Sequence, residues 1–194
     1  MGQLQEPELG FECSGIVSRV GVAVDSVKPG DRVCCFKVGT FRNFVTTPSS
    51  MAIPMPPKMD FEIAASVPLV YGTAYYALYE KARLQLGQTV LIHSAAGGVG
   101  QAAIVLAQRV GAEIFATVSS PIKKALLIEE YGIPPDHIFN SRDHIFSKGI
   151  MRMTKNRGVD VVLNSLAGEG LRESWYCTAR FGQFVELGQK DIGK

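Results

Sequence analysis

The chain has 194 residues, a formal charge of +2, 46% hydrophobic and 20% charged side chains. That length buries a sizeable core and admits one domain or two small ones, and the composition excludes a disordered chain. Lysine and arginine are scattered without a basic run, so nothing points to nucleic acid or an anionic membrane surface.

The first ten residues are polar and contain Pro7, unlike a signal peptide. Residues 63–78 are the only membrane-like stretch; Pro68, Gly72 and several hydroxyls interrupt it, and it is too short to span. The cysteines Cys13, Cys34, Cys35 and Cys177 show no C-x-x-C spacing, so neither a zinc ribbon nor a disulfide framework is indicated. A reducing, cytoplasmic compartment is the expectation.

Residues 10–53 read as β structure. Apolar runs at 13–17, 32–36 and 44–46 alternate with turn signals such as Lys28-Pro29-Gly30-Asp31. Pro54, Pro56 and Pro57 stiffen a connector. Residues 60–66 read as a helix with Asp60 as N-cap, and residues 71–82 repeat apolar side chains at helical spacing. From Gln88 onward strand and helix alternate. The pattern predicts strands near 89–93, 113–118, 137–139, 159–163 and 183–187, and helices near 99–110, 121–131, 143–153 and 168–179. Alternation of this kind builds right-handed βαβ units around a parallel sheet, and the runs at 114–118 and 159–163 are almost wholly apolar, as strands buried on both faces are. The fold class is therefore α/β: a β-rich part followed by a doubly wound parallel sheet.

The stretch from Thr89 to Ala103 carries the most chemistry. A short apolar strand runs into Ser94-Ala95-Ala96-Gly97-Gly98-Val99-Gly100, which opens directly onto a helix of small and apolar residues. Glycine at 97 allows a sharp turn, and glycine at 98 and 100 lets backbone approach a pyrophosphate and lets helix and strand pack closely. The free N–H groups at the helix start then face the ligand's charge. A tight strand–helix turn alone would need less agreement between strand, spacing and helix, so a dinucleotide site is the stronger reading.

About twenty residues further on, a carboxylate would bind an unmodified ribose 2′-hydroxyl. This chain places Ser119, Ser120, Pro121, Ile122, Lys123 and Lys124 there, with Glu129 and Glu130 two helical turns away. Hydroxyls and ammonium groups suit a 2′-phosphate, which favours NADP over NAD. Ser120-Pro121 is also a good N-cap with proline at the first helical position, and two lysines are an ordinary solvated face.

Gly10-Phe11-Glu12-Cys13-Ser14-Gly15 is the other distinctive segment. In zinc-dependent alcohol dehydrogenases a histidine precedes the glutamate of a similar segment; Phe11 stands there and cannot coordinate metal. His93, His137 and His144 are scattered without ligand spacing, so no metal is expected, and His93 at a strand end reads as a satisfied, partly buried side chain.

Together these residues resemble the zinc-free branch of the medium-chain dehydrogenase/reductase superfamily. They are most similar to the enoyl reductase domain of fungal highly reducing polyketide synthases and, behind it, that of animal fatty acid synthase. The matching segments are 9–15, 28–33, 73–78 (Thr-Ala-Tyr-Tyr-Ala-Leu), 94–100, 140–143 (Asn-Ser-Arg-Asp), 149–152 and 159–168; the last, ending Asn164-Ser165-Leu166-Ala167-Gly168, is the most specific.

The resemblance implies an incomplete GroES-like part at 1–57, connecting helices at 58–87 and a Rossmann-type NADP-binding domain at 88–194, with family chain expected beyond both ends. It implies that NADPH reduces an α,β-unsaturated acyl thioester carried on an acyl carrier protein, in polyketide biosynthesis, with a homodimer formed through the parent synthase. By matching position, Gly97, Gly98, Val99 and Gly100, with Ser94, hold the pyrophosphate. Ser119, Ser120 and Lys123 face the 2′-phosphate with Ser141 and Arg142 as helpers, and Thr73 and Asn164 lie near the nicotinamide. The family carries lysine directly after the glycine of its Glu-Leu-Gly segment. Here Glu186-Leu187-Gly188 is followed by Gln189 and Lys190, so Gln189 or Lys190 is the catalytic candidate. Glutamine donates a hydrogen bond to an enolate oxygen but supplies no proton at neutral pH. The alternatives are a zinc-free quinone or alkenal reductase, and a non-catalytic fragment of a longer synthase.

Overall fold

The antiparallel part is built on short strands closed by local turns. In the computed structural model, which describes residues 8–143 and 145–188, β1 (Glu12–Ile16), β2 (Arg32–Phe36) and β3 (Ala52–Pro54) form a three-stranded sheet in the order β1-β2-β3. Proline at 29 and glycine at 30 (φ +92°) shape the turn before β2; Lys28 N–H donates to Asp31 Oδ2 at 2.9 Å, and that bond holds the Asp31 carboxyl below its usual range. The strand read at 44–46 does not form. Alternation alone gives no strand without a partner edge to pair with. Cys34, Met55 and Ala64 make this part's core, with Met59 and Phe61 packed against them. Arg32 lies over the Phe61 ring, 4.6 Å from its centroid, and donates to the carbonyls of Pro57 and Met59.

Helix α1 spans Phe61–Ala64, and Asp60 takes the extended backbone of an N-cap. Its side chain caps nothing, which corrects that detail of the reading. The helix expected at 71–82 is two pieces. Helix α2 runs over Pro68–Tyr75 and continues as a π-helical turn over Tyr76–Lys81, where Ala82 N–H reaches back to Ala77 O.

By contacts the chain divides into two units, one up to Gly72 and one from Thr73 onward. The second unit is the alternating part. Its parallel sheet has five strands in the order β6-β5-β4-β7-β8: β4 (Thr89–Ile92), β5 (Glu113–Val118), β6 (Ile138–Asn140), β7 (Val159–Asn164) and β8 (Thr178–Glu186). Helices α3 (Gly98–Val110), α4 (Pro121–Tyr131), α5 (Phe146–Met153) and α6 (Glu169–Tyr176) connect them. All of β4 is buried, and Leu91, Phe115, Phe146, Ile150, Val159, Val162 and Cys177 form one core cluster. Both α3 and α4 end on a left-handed glycine, Gly111 and Gly132, each donating back to carbonyls of the last turn.

At the other rim of the sheet Asp160 accepts from Thr89 N and Oγ1, both at 2.8 Å, and pairs with Arg157 at 2.5 Å. Burial alone would raise its pKa, yet these donors hold the carboxyl below the usual range. The last helix and strand are shifted from expectation. Helix α6 stops at Tyr176 and β8 starts at Thr178, because Val159 N–H pairs with Cys177 O and draws the chain into the sheet. A bulge opposite Val159–Val161 absorbs the extra residues, with Phe181 in the left-handed region at φ +65°.

Candidate nucleotide site

In a doubly wound sheet the ligand crevice lies beyond the carboxyl ends of the strands, where the strand order reverses. Here the chain runs β4 to β5 to β6 in one direction and β7 to β8 in the other, so the crevice opens between β4 and β7. Ser94 follows β4 and Ser165 follows β7; both are exposed, and their hydroxyls are 3.0 Å apart across it. Ser94 holds φ +51°, unusual for a residue with a Cβ, and this bend sends the chain from the strand into the loop.

The loop is built to put backbone at the surface. Gly97 and Gly98 are exposed, and α3 begins with no side-chain cap. The N–H groups of Gly98, Val99 and Gly100 therefore have no intrahelical acceptor, and the helix presents a partial positive charge of about half a unit there. Gly100 is buried. A Cβ on it would lie 2.6 Å from Ala95 Cα, Ala95 O and Ser94 O, so only glycine lets the helix sit this close to the loop. Gln101 braces the arrangement, donating to Ala96 O at 2.9 Å and accepting from Tyr131 Oη at 2.7 Å. These features fit a pyrophosphate.

Beneath the loop, His93 is 3% exposed. Its Nδ1 lies 2.9 Å from Thr117 Oγ1 on β5, and its Nε2 lies 2.7 Å from Ser174 Oγ on α6. It is satisfied, as read, but wholly rather than partly buried, and burial pushes its pKa down to about 3.

The carboxyl ends of β5 and β6 lie side by side, since Val118 pairs with Asn140 and Ser141 N–H donates to Val118 O at 2.9 Å. Ser119, Ser120, Lys123, Ser141 and Arg142 gather there. Ser120 caps α4 through Lys123 N at 3.4 Å, and Lys123 Nζ lies 3.5 Å from Ser119 Oγ. Lys123 and Arg142 are exposed, and among the described residues neither is in an ion pair. The cluster thus offers hydroxyls and two cations outside any described ion pair to an anionic group, while the neighbouring carboxylate, Asp143, accepts from Ile145 N at 3.2 Å.

Asn164 is fully buried. Its Nδ2 donates to Leu166 O (2.8 Å) and Glu186 Oε2 (2.6 Å), and its Oδ1 accepts from Leu166 N at 3.3 Å. It shapes the loop after β7 and ties it to the end of β8. Thr73 is half-buried on α2, with no hydrogen bond to the Ser94–Gly100 turn. Gln189 and Lys190, the catalytic candidates, lie outside the described residues, as does His144. The sequence reading missed Ser165 and Gln101. Ser165 had a signal, because it follows the apolar β7 run as Ser94 follows β4; Gln101 had only its place in the first helical turn.

For zinc the donor set does not fit. Among the described residues no three His, Cys, Asp or Glu side chains converge to hold an ion, both ring nitrogens of His93 are engaged, and Phe11 is exposed in the segment before Cys13.

Comparison with known proteins bears on the family and the fold. The family described as alcohol dehydrogenase GroES-like domain matches residues 2–57, and that described as zinc-binding dehydrogenase matches residues 98–193. A highly reducing polyketide synthase of Talaromyces stipitatus is 55% identical over 193 residues, covering 100% of this chain and 8% of that protein. The squalestatin tetraketide synthase of a Phoma species is 55% identical over 194 residues, 99% of this chain and 8% of its own length. Among solved structures, the CurK enoyl reductase superposes with a TM-score of 0.92 at 44% identity, covering 97% of this chain and 56% of that one. A quinone oxidoreductase of Pseudomonas syringae does so with a TM-score of 0.85 at 27% identity, covering 97% and 58%. The chain therefore spans less than a tenth of these curated relatives and little more than half of these solved chains.

Proposed function

The chain belongs to the medium-chain dehydrogenase/reductase superfamily, among the enoyl reductases of polyketide synthases, and from that membership we propose that it reduces α,β-unsaturated acyl thioesters with NADPH. The observation that carries the cofactor half is the end of β5, where no carboxylate follows the strand and where, among the described residues, Lys123 and Arg142 are in no ion pair beside Ser119, Ser120 and Ser141. These groups bind the 2′-phosphate, while the N–H groups of Gly98, Val99 and Gly100 hold the pyrophosphate. Bound NADPH supplies a hydride to the β carbon of the substrate.

The protein's own groups do the rest. The Ser94–Ser165 pair lines the crevice, and Asn164 acts indirectly by fixing the backbone that follows β7. Thr73 completes the nicotinamide end. An enolate oxygen generated on the thioester takes a hydrogen bond from Gln189, and Lys190 or water returns a proton to the α carbon. The acyl group arrives on an acyl carrier protein, within a cytoplasmic synthase that dimerises. The parts 1–57, 58–87 and 88–194 serve as substrate-side part, connector and cofactor domain.

The reading is tested by following reduced nicotinamide with a 2-enoyl pantetheine thioester and, separately, with a quinone. Turnover of the thioester supports it. Turnover of the quinone alone sinks it in favour of a quinone reductase, the second kind of protein this chain resembles. Alanine at Lys123 or Arg142 is expected to weaken NADPH about tenfold, about 1.4 kcal/mol for one charge-assisted contact, while leaving NADH binding unchanged in a fluorescence titration. Equal loss for both cofactors would remove the 2′-phosphate assignment.

A further inference from the structure

The sheet of the first unit contains a pair of thiols that the nucleotide site does not use. Cys13 on β1 and Cys35 on β2 are direct register partners, and their sulfurs are 3.2 Å apart. Lys37 N–H donates to Phe11 O and Val17 N–H to Asp31 O, so, stepping by two, Cys13 and Cys35 occupy a hydrogen-bonded pair position. Cα atoms at such positions are about 5.5 Å apart, inside the range that a disulfide spans. The sulfurs must close by only about 1.2 Å to reach bonding distance. Cys34, one residue along, faces the other side, in the cluster with Met55 and Ala64, and Cys177 is buried in the second unit.

We propose that Cys13 and Cys35 form a redox-active dithiol, which a low-molecular-weight disulfide of the glutathione type converts to a cross-strand disulfide. Cys13 is the half-buried member and the entry point, while Cys35 is 5% exposed. The Cys13 thiolate attacks one sulfur of the small disulfide and expels the other half as a thiolate, which takes a proton. The Cys35 thiolate then attacks Cys13 Sγ and expels the second small thiol. Two cysteine S–H bonds and one small S–S bond are lost; one protein S–S bond and two small S–H bonds form. The protein is oxidised by two electrons and the reagent is reduced by two. In the reduced pair, burial and the Cys13 sulfur beside it push the Cys35 thiol up to about 12, so the more exposed Cys13, not Cys35, is the first nucleophile.

The test incubates the native protein with oxidised glutathione, blocks free thiols with an alkylating agent and maps the peptides by mass spectrometry without reductant. The expected result is a Cys13–Cys35 cross-link, with both residues protected from alkylation and both recovered after dithiothreitol. Cys34→Ser keeps the cross-link, whereas Cys35→Ser stops at one glutathione on Cys13. In the native protein, a stable glutathione adduct on Cys13 without cross-linking overturns the proposal, as does free alkylation of Cys13 after treatment. Those readouts need no variant to fold.

Discussion

Gly100→Ala is expected to abolish measurable dinucleotide binding and to lower stability by about 1–3 kcal/mol, the usual cost of overpacking. The added Cβ would meet Ala95 Cα, Ala95 O and Ser94 O at 2.6 Å, all backbone that cannot swing away as a side-chain tip would. Relief requires the start of α3 to move off the loop, which misaims the N–H groups that face the pyrophosphate. Titration with NADPH and urea unfolding, run together, check both halves. Gly15→Ala is the control, since nothing lies within 4 Å of a Cβ there. Wild-type affinity in Gly100→Ala would mean that the loop is not the pyrophosphate cradle.

Acidification is expected to destabilise the second unit through His93. Its folded pKa is about 3, against 6.5 for the free side chain. Between those values the unfolded chain binds a proton that the native state does not, so stability rises with pH. The contribution is complete above the unfolded value and is lost as pH falls from about 6.5 toward 3, at about 1.4 kcal/mol per unit. The neutral imidazole donates from one ring nitrogen and accepts at the other, bridging Thr117 and Ser174; the imidazolium would have two donors and an unsolvated charge. Carboxylates titrate in the same window, so the measurement is the difference between wild type and His93→Asn. The variant should be less stable at pH 7, by about 1–3 kcal/mol for the unsatisfied hydroxyl, and flatter in its acid response. Parallel slopes would remove His93 as the cause.

The elements that carry the cofactor site were legible because their signals are local. The apolar run of β4, the glycine spacing of the loop and the Ser120-Pro121 start of α4 act within a few residues. Ser120 does cap Lys123 N, three residues on, as its sequence position implied. The parallel character of the sheet followed from the alternation of elements and the handedness of βαβ units, whereas its order, with β7 beside β4, did not. Local signals misled where a distant partner decided. The run at 44–46 found no edge to join, and residues 178–179, expected at the end of a helix, joined β8 because Val159 N–H was there to pair with Cys177 O.

The sequence by itself determined the α/β class, the position of the glycine-rich turn and the basic, acid-free end of β5, since each is set by neighbours along the chain. Tertiary structure alone decided the rest. Ser94 meets Ser165 across 71 residues, His93 meets Ser174 across 81, and Cys13 meets Cys35 across 22. Contacts at such separations form only when sheet order and register place two strands or a strand and a helix together. That placement is fixed by burial of the whole apolar core, not by any short stretch of residues.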